Sequence, residues 1–124
     1  MGAFSNFNSQ QRLEVWPGIV ARPIVGERMT MALVELEPDR PVAEHHHENE
    51  QLGFVVQGGM QMKIGDETRD LVAGDTYTIP SDLPHSVVRT GPQGCVVIDV
   101  FAPVRADWDA IERIDPSPGS WPPK

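Results

Sequence analysis

The sequence predicts one all-β domain of sandwich or barrel type, and three observations predict it. Short apolar runs alternate with turn residues along the whole chain, with 12 prolines and 11 glycines among 124 residues. Apolar residues make up 40% of the chain, enough to bury one sizeable core and too many for a disordered chain. The length suits a single domain and leaves little room for a second.

Each element follows from the local pattern. Residues 1–12 are polar with few β-branched side chains, which predicts a loose or partner-dependent arm ahead of a barrel over 13–106. Leu13–Trp16 is stopped by Pro17-Gly18, Ile19–Val25 by Gly26-Glu27, and 28–36 by Glu37-Pro38-Asp39. The run 51–56 ends at Gly58-Gly59, which reads as a hairpin signal with 60–64 as the return strand. Leu71-Val72, Thr76–Ile79 and 85–89 follow, each closed by Gly or Pro, and 95–101 is the last strand. Past Pro103 the period changes, because Trp108 and Ile111 sit three apart. The stretch 107–124 should therefore open with a helical turn. It ends in DPSPGSWPPK, whose four prolines exclude a regular helix or central strand.

Charge narrows the partners. Eighteen acidic and 10 basic side chains give a formal net charge of −8, without the basic face that phosphate contacts require. A nucleic-acid partner is not expected, whereas a small carboxylate substrate could be held by a few local arginines. Cys95 is the single cysteine and has no internal disulfide partner. No basic-then-apolar leader opens the sequence and no apolar run reaches spanning length. The expectation is a soluble cytoplasmic protein with no membrane partner.

Three of the four histidines are consecutive, His45, His46 and His47. In an extended segment alternate side chains share a face, so His45 and His47 point one way and His46 the other. Gln51 has the same parity and can join them if the strand continues. His85 follows Pro80 and Pro84, which fix the backbone before it. Imidazole accepts zinc, iron, nickel, copper or manganese, and an amide oxygen is a neutral, harder ligand. Taken singly, each residue has a plain explanation: the triplet as a solvated loop, His85 as a surface or core histidine.

Taken together they resemble the cupin family. HHHENEQLGFVVQG resembles its first motif: His-x-His, three spacers, a ligand usually acidic, six residues and Gly, here Gly58. GDTYTIPSDLPH resembles the second, with Gly74, five residues, Pro80 and a ligand at His85. The resemblance covers roughly residues 28–101. It implies a double-stranded β-helix, or jelly-roll barrel, of two antiparallel sheets. Near its open end His45, His47, Gln51 and His85 would hold one divalent transition metal ion: nickel, zinc, manganese or iron. Coordination positions left free would mark a catalytic metal. Small members of the family commonly pair as homodimers. Two positions depart from the pattern: Gln51 replaces the usual Glu, and Asp82 stands where Gly is customary. Gln51 removes one negative charge, which would make the ion a stronger Lewis acid toward an anionic substrate.

The last strand carries a second constellation. In CVVIDVFAPVR, Cys95, Val97, Asp99 and Phe101 share one face, and Val96, Ile98 and Val100 the other. A charge within an apolar strand is costly without a partner or a function. Were Asp99 merely solvated, Val97 and Phe101 would be exposed beside it, so Asp99 is predicted to face a pocket. Burial there would raise its pKa and suit it to proton transfer, although a nearby metal or Arg would oppose that rise. Arg105 is either a surface arginine or a fork for a substrate carboxylate.

Asp-x-Phe-x3-Arg beside such a metal site is similar to the KdgF-like cupins of pectin and alginate breakdown, which linearise 4,5-unsaturated monouronates into open-chain keto forms. The resemblance implies functional roles for Asp99, Phe101 and Arg105. The expected function is a metal-dependent enzyme of isomerase or lyase type: Asp99 shuttles the proton, Arg105 holds the carboxylate and Phe101 shapes the apolar wall. Two alternatives stay open, an iron-dependent dioxygenase and a non-catalytic sugar- or ligand-binding cupin. Of the remaining residues, Arg28 is expected at an edge or in the pocket. Tyr77 is expected in the core, and Trp16, Met29, Met31, Met60 and Met62 in packing.

Overall fold

The computed structural model describes residues 2–123. Eight strands carry the chain: β1 (Leu13–Trp16), β2 (Ile19–Val25), β3 (Thr30–Leu36), β4 (Val42–His45), β5 (Glu50–Ile64), β6 (Glu67–Val72), β7 (Thr76–Ile79) and β8 (His85–Ala102). The architecture is set by β5 and β8, of 15 and 18 residues. They pair antiparallel along their lengths, from Glu50 opposite Ala102 to Ile64 opposite His85. The first half of β5 lies between β7 and the second half of β8, and that sheet continues through β3 and β2 to β1. The second half of β5 pairs with β6, and the first half of β8 with β4. One two-stranded ribbon thus runs through two facing sheets, which together enclose the core.

Three sequence expectations fail at this ribbon. Gly58-Gly59 does not reverse the chain, because 51–56 and 60–64 are one strand, and 85–89 and 95–101 are likewise one strand. Gly58 and Gly94 have φ of 72° and 74°. A Cβ on Gly58 would collide with the Gly94 carbonyl, and one on Gly94 would come within 2.5 Å of the Leu36 oxygen. Glycine here admits a close backbone crossing, and the register slips around it as bulges do. The true partner of 60–64 is β6, reached through the turn at Gly65. Finally, β4 ends at His45, so His45 and His47 do not share one extended strand.

Inward faces follow strand alternation. On β8, Cys95, Val97, Asp99 and Phe101 are all buried. Register sets Val97 between Val34 and Val55, Asp99 between Ala32 and Gly53, and Phe101 between Thr30 and Gln51. Met60 and Met62 join the core, whereas Met29 and Met31 lie on the surface, because Met31 points out of β3 and Met29 stands in the turn before it. Arg28 lies exposed in that same turn, away from the pocket.

The two ends of the chain meet on the barrel. A 3₁₀ turn at Phe7–Ser9 is capped by the Asn6 side chain, and Asn8 Oδ1 accepts from the Gly119 amide. Arg12 pairs with Ile114 through both backbone groups. A second 3₁₀ turn, Ala106–Ala110, buries Trp108 and brings it against Phe101. Farther on, Arg22 of β2 is covered by the tail, donating to the Ser117 carbonyl while paired with Glu35.

Candidate functional site

His45 ends β4 and faces His85, the first residue of β8, across the β4–β8 pairing. His47 reaches the same point from the bend before β5, where the Asp82 amide donates to its carbonyl oxygen. Asp82 has φ 61°, the left-handed conformation that explains why glycine is customary there and that aspartate tolerates. His46 points away, 3.4 Å from Asp82 on the surface. Ligand atoms of His45, His47 and His85 all lie within 4.8 Å of one another.

The histidine tautomers are fixed by the backbone. Nδ1 of His45, His47 and His85 lies 2.8, 2.9 and 2.8 Å from the carbonyls of Ala43, Asn49 and Leu83. Each Nδ1 therefore carries a proton, and a neutral ring then keeps its lone pair on Nε2. His85 Nε2 is buried with no hydrogen-bond partner among the described residues. His47 Nε2 stands 3.1 Å from Gln51 Oε1. With these tautomers both atoms are acceptors, an arrangement that a cation between them would stabilise. The spacing suits adjacent ligands with bonds of about 2.1 Å. Burial, above all, lowers the pKa of His85 to about 4 and also depresses that of His47. Both rings are thus neutral at pH 7, as ligation requires. The donor set fits a transition metal, and the three histidines could hold one.

Asp99 lines the same cavity, of about 230 Å³, together with the three histidines, Gln51, Tyr77, Phe101 and Arg105. Its pKa is raised to about 6, chiefly by burial, against hydrogen bonds from Tyr77 and Gln51 and the charge of Arg105. The Gln51 amide thereby turns its oxygen to His47 and its NH₂ to Asp99. Glutamate would set a second carboxylate against Asp99, whereas glutamine is an acceptor on one side and a donor on the other.

Arg105 forms the far wall. Its guanidinium lies 4.7 Å over the Phe101 ring and 4.6 Å from the centre of Trp108. Nε and Nη2 donate to the two oxygens of Asp107 at 3.0 and 2.9 Å, leaving the outer edge of the fork for a ligand. Phe101 stands between this cation and the histidines, with its ring 5.9 Å from that of His47.

A family model described as Cupin domain matches residues 32–101. The chain belongs to the cupin family. Among curated proteins this cupin is similar to the H2HPP isomerase of Bacillus subtilis, 34% identical over 51% of this chain and 27% of the isomerase. It is also similar to the pectin degradation protein KdgF of Dickeya dadantii, 37% identical over 52% of this chain and 58% of that protein. The solved structure of KdgF from Halomonas superimposes with a TM-score of 0.76 at 29% identity, over 86% of this chain and 98% of that one. An RmlC-like cupin from Shewanella frigidimarina, at 22% identity and a TM-score of 0.77, shares the fold over 86% of this chain and 96% of its own.

Sequence reasoning missed several residues of this cupin's cavity. Trp16, expected in packing, is 38% exposed and lies 5.2 Å from His45, ring centre to ring centre. Asp107 and Trp108 hold Arg105, and nothing in the spacing marks them for that role. Buried Asn49 donates to the carbonyls of Pro103 and Val104, tying the His47 loop to the segment that delivers Arg105. The available signal was a short polar residue between glutamates in a tight bend. Tyr77 packs in the core as expected, and its hydroxyl also donates to Asp99 Oδ1 at 2.5 Å.

Proposed function

We propose that this cupin is a metal-dependent isomerase of 4,5-unsaturated monouronates, and that His45, His47, Gln51 and His85 are its metal ligands. One observation carries the reading: a buried carboxylate, a clamped guanidinium and a triad of histidines face one cavity of about 230 Å³. That volume lies below the usual range for drug-sized ligands and suits a monosaccharide. The similarity to KdgF and to an isomerase supports the same class of chemistry.

The reaction conserves atoms. The hemiacetal proton leaves the C1 hydroxyl, the bond from C1 to the ring oxygen opens, and C1 becomes an aldehyde. The ring oxygen then belongs to a C5 enolate, which becomes a ketone as C4 gains that proton. A metal bound at the histidines would supply Lewis acidity toward the substrate oxygens. Asp99, with its pKa near neutrality, takes up and returns the proton. Arg105 offers its outer edge to the carboxylate, and Phe101 keeps water from the space between.

Anaerobic incubation with an unsaturated monouronate tests the reading through loss of absorbance from the C4–C5 double bond. Activity that consumes oxygen stoichiometrically would instead favour a dioxygenase, and tight binding without turnover a ligand-binding cupin. His47→Ala and His85→Ala should each strip most bound metal while His46→Ala retains it. Asp99→Asn should keep the metal and lose about a hundred- to ten-thousand-fold in rate.

A further inference from the structure

Gly53 sits in the interior of β5, where glycine weakens a strand and needs a reason. Register gives one, because Gly53 lies opposite Tyr77 of β7 on one side and Asp99 of β8 on the other. Side chains from two strands that do not touch each other meet above it. A Cβ at Gly53 would collide with both Asp99 Oδ1 and the Tyr77 ring. On its other flank Asp99 is opposite Ala32, so small residues border the carboxylate on both neighbouring strands. Into this gap Tyr77 donates its hydroxyl to Asp99 Oδ1 at 2.5 Å, the short distance of a charge-assisted bond.

We propose that Tyr77, admitted by Gly53, is a positioning residue that holds the Asp99 carboxylate in one orientation. Oδ1 is engaged by the phenol, which fixes the plane in which the carboxylate meets the cavity. This inference rests on the reading of Asp99 as a residue that faces the bound substrate. Burial and the neighbouring carboxylate push the Tyr77 hydroxyl well above its ordinary pKa, so it is a permanent donor and not a base. An aspartate has two soft torsions and a symmetric head, and the phenol adds a second restraint to that of the Gln51 amide on how the carboxylate meets the cavity. A carboxylate aimed in advance removes that search from the reacting complex.

The test uses the metal-loaded protein with Tyr77→Phe and Gly53→Ala, read by NMR and by kinetics. Wild type should show a downfield hydroxyl proton resonance, absent in Tyr77→Phe and absent in Gly53→Ala although the tyrosine remains. The carboxyl carbon of Asp99 should shift in both variants. With a monouronate, Tyr77→Phe should retain metal and keep KM within about twofold while kcat falls about ten- to a hundredfold. A tyrosine that merely fills the core would leave kcat and the Asp99 carbon signal unchanged in Tyr77→Phe, and that result overturns the proposal. Should wild type not turn over monouronates, the uronate reading fails, and the two NMR signals still decide whether Tyr77 holds Asp99. If Gly53→Ala does not fold, the Tyr77→Phe comparison decides alone.

Discussion

Asp99 is held in the fold with a pKa of about 6 against 3.8 for an ordinary aspartate, and burial is the main cause. The unfolded chain therefore releases this proton first as pH rises, while the folded chain still holds it. Between those two values the folded state binds more protons, so stability falls with rising pH and the cost persists above the window. Metal-free wild type should lose stability relative to Asp99→Asn from about pH 4 to about pH 6, with a constant difference on either side. Urea midpoints across that range measure it, and a difference that never changes would return Asp99 to ordinary behaviour. Placing Asp99 inside was legible in the sequence, because strand parity tied it to Val97 and Phe101, which would not be left in water. The Tyr77 bond was not legible, since it joins strands with β5 between them and depends on a side chain that is missing. Nor was the Asp107 clamp, where two residues of spacing in a 3₁₀ turn look like any exposed charge pair.

At the level of elements, the barrel depends on β5 and β8 bending together without breaking. The sequence pattern located most strand interiors, because apolar runs and stop residues are local. It failed at Gly58-Gly59, because a glycine pair serves a hairpin and a backbone crossing equally well. Only the partners of 60–64 separate the two: β6 through the turn at Gly65 on one side, and the distant first half of β8 on the other. Gly58 and Gly74 make a matched comparison. Both have positive φ, but a Cβ at Gly74 meets nothing within 4 Å, whereas one at Gly58 strikes the Gly94 carbonyl. Gly74→Ala should cost about 1 kcal/mol from backbone strain alone. Gly58→Ala adds a collision with backbone and should cost about 2–4 kcal/mol. Denaturant unfolding of both variants checks the order, and equal losses would mean that the ribbon can open at its bend.

Across the whole molecule, the chain carries a net charge of −8, so the carboxylate substrate proposed above would have to be held locally, and Arg105 is the cation that lines the cavity with the histidines. The meeting of the two histidine motifs was legible because each packs its spacing into one bend, and the short tie between Asp82 and His47 then brings the two bends together. What local spacing could not reveal is that β8 supplies both ends of the site, His85 at its start and Asp99 near its close. From Cys95 to Phe101 that strand is flanked on both sides, by β5 along one edge and by β3 along the other. In deuterated solvent its backbone protons should be the last to exchange, at a rate set by complete unfolding and not by local breathing. Hydrogen exchange read residue by residue would show protection peaking near Val97. The lifetime of the assembled pocket would then equal the lifetime of the native molecule, with no partly open form through which an ion or a proton relay is lost first.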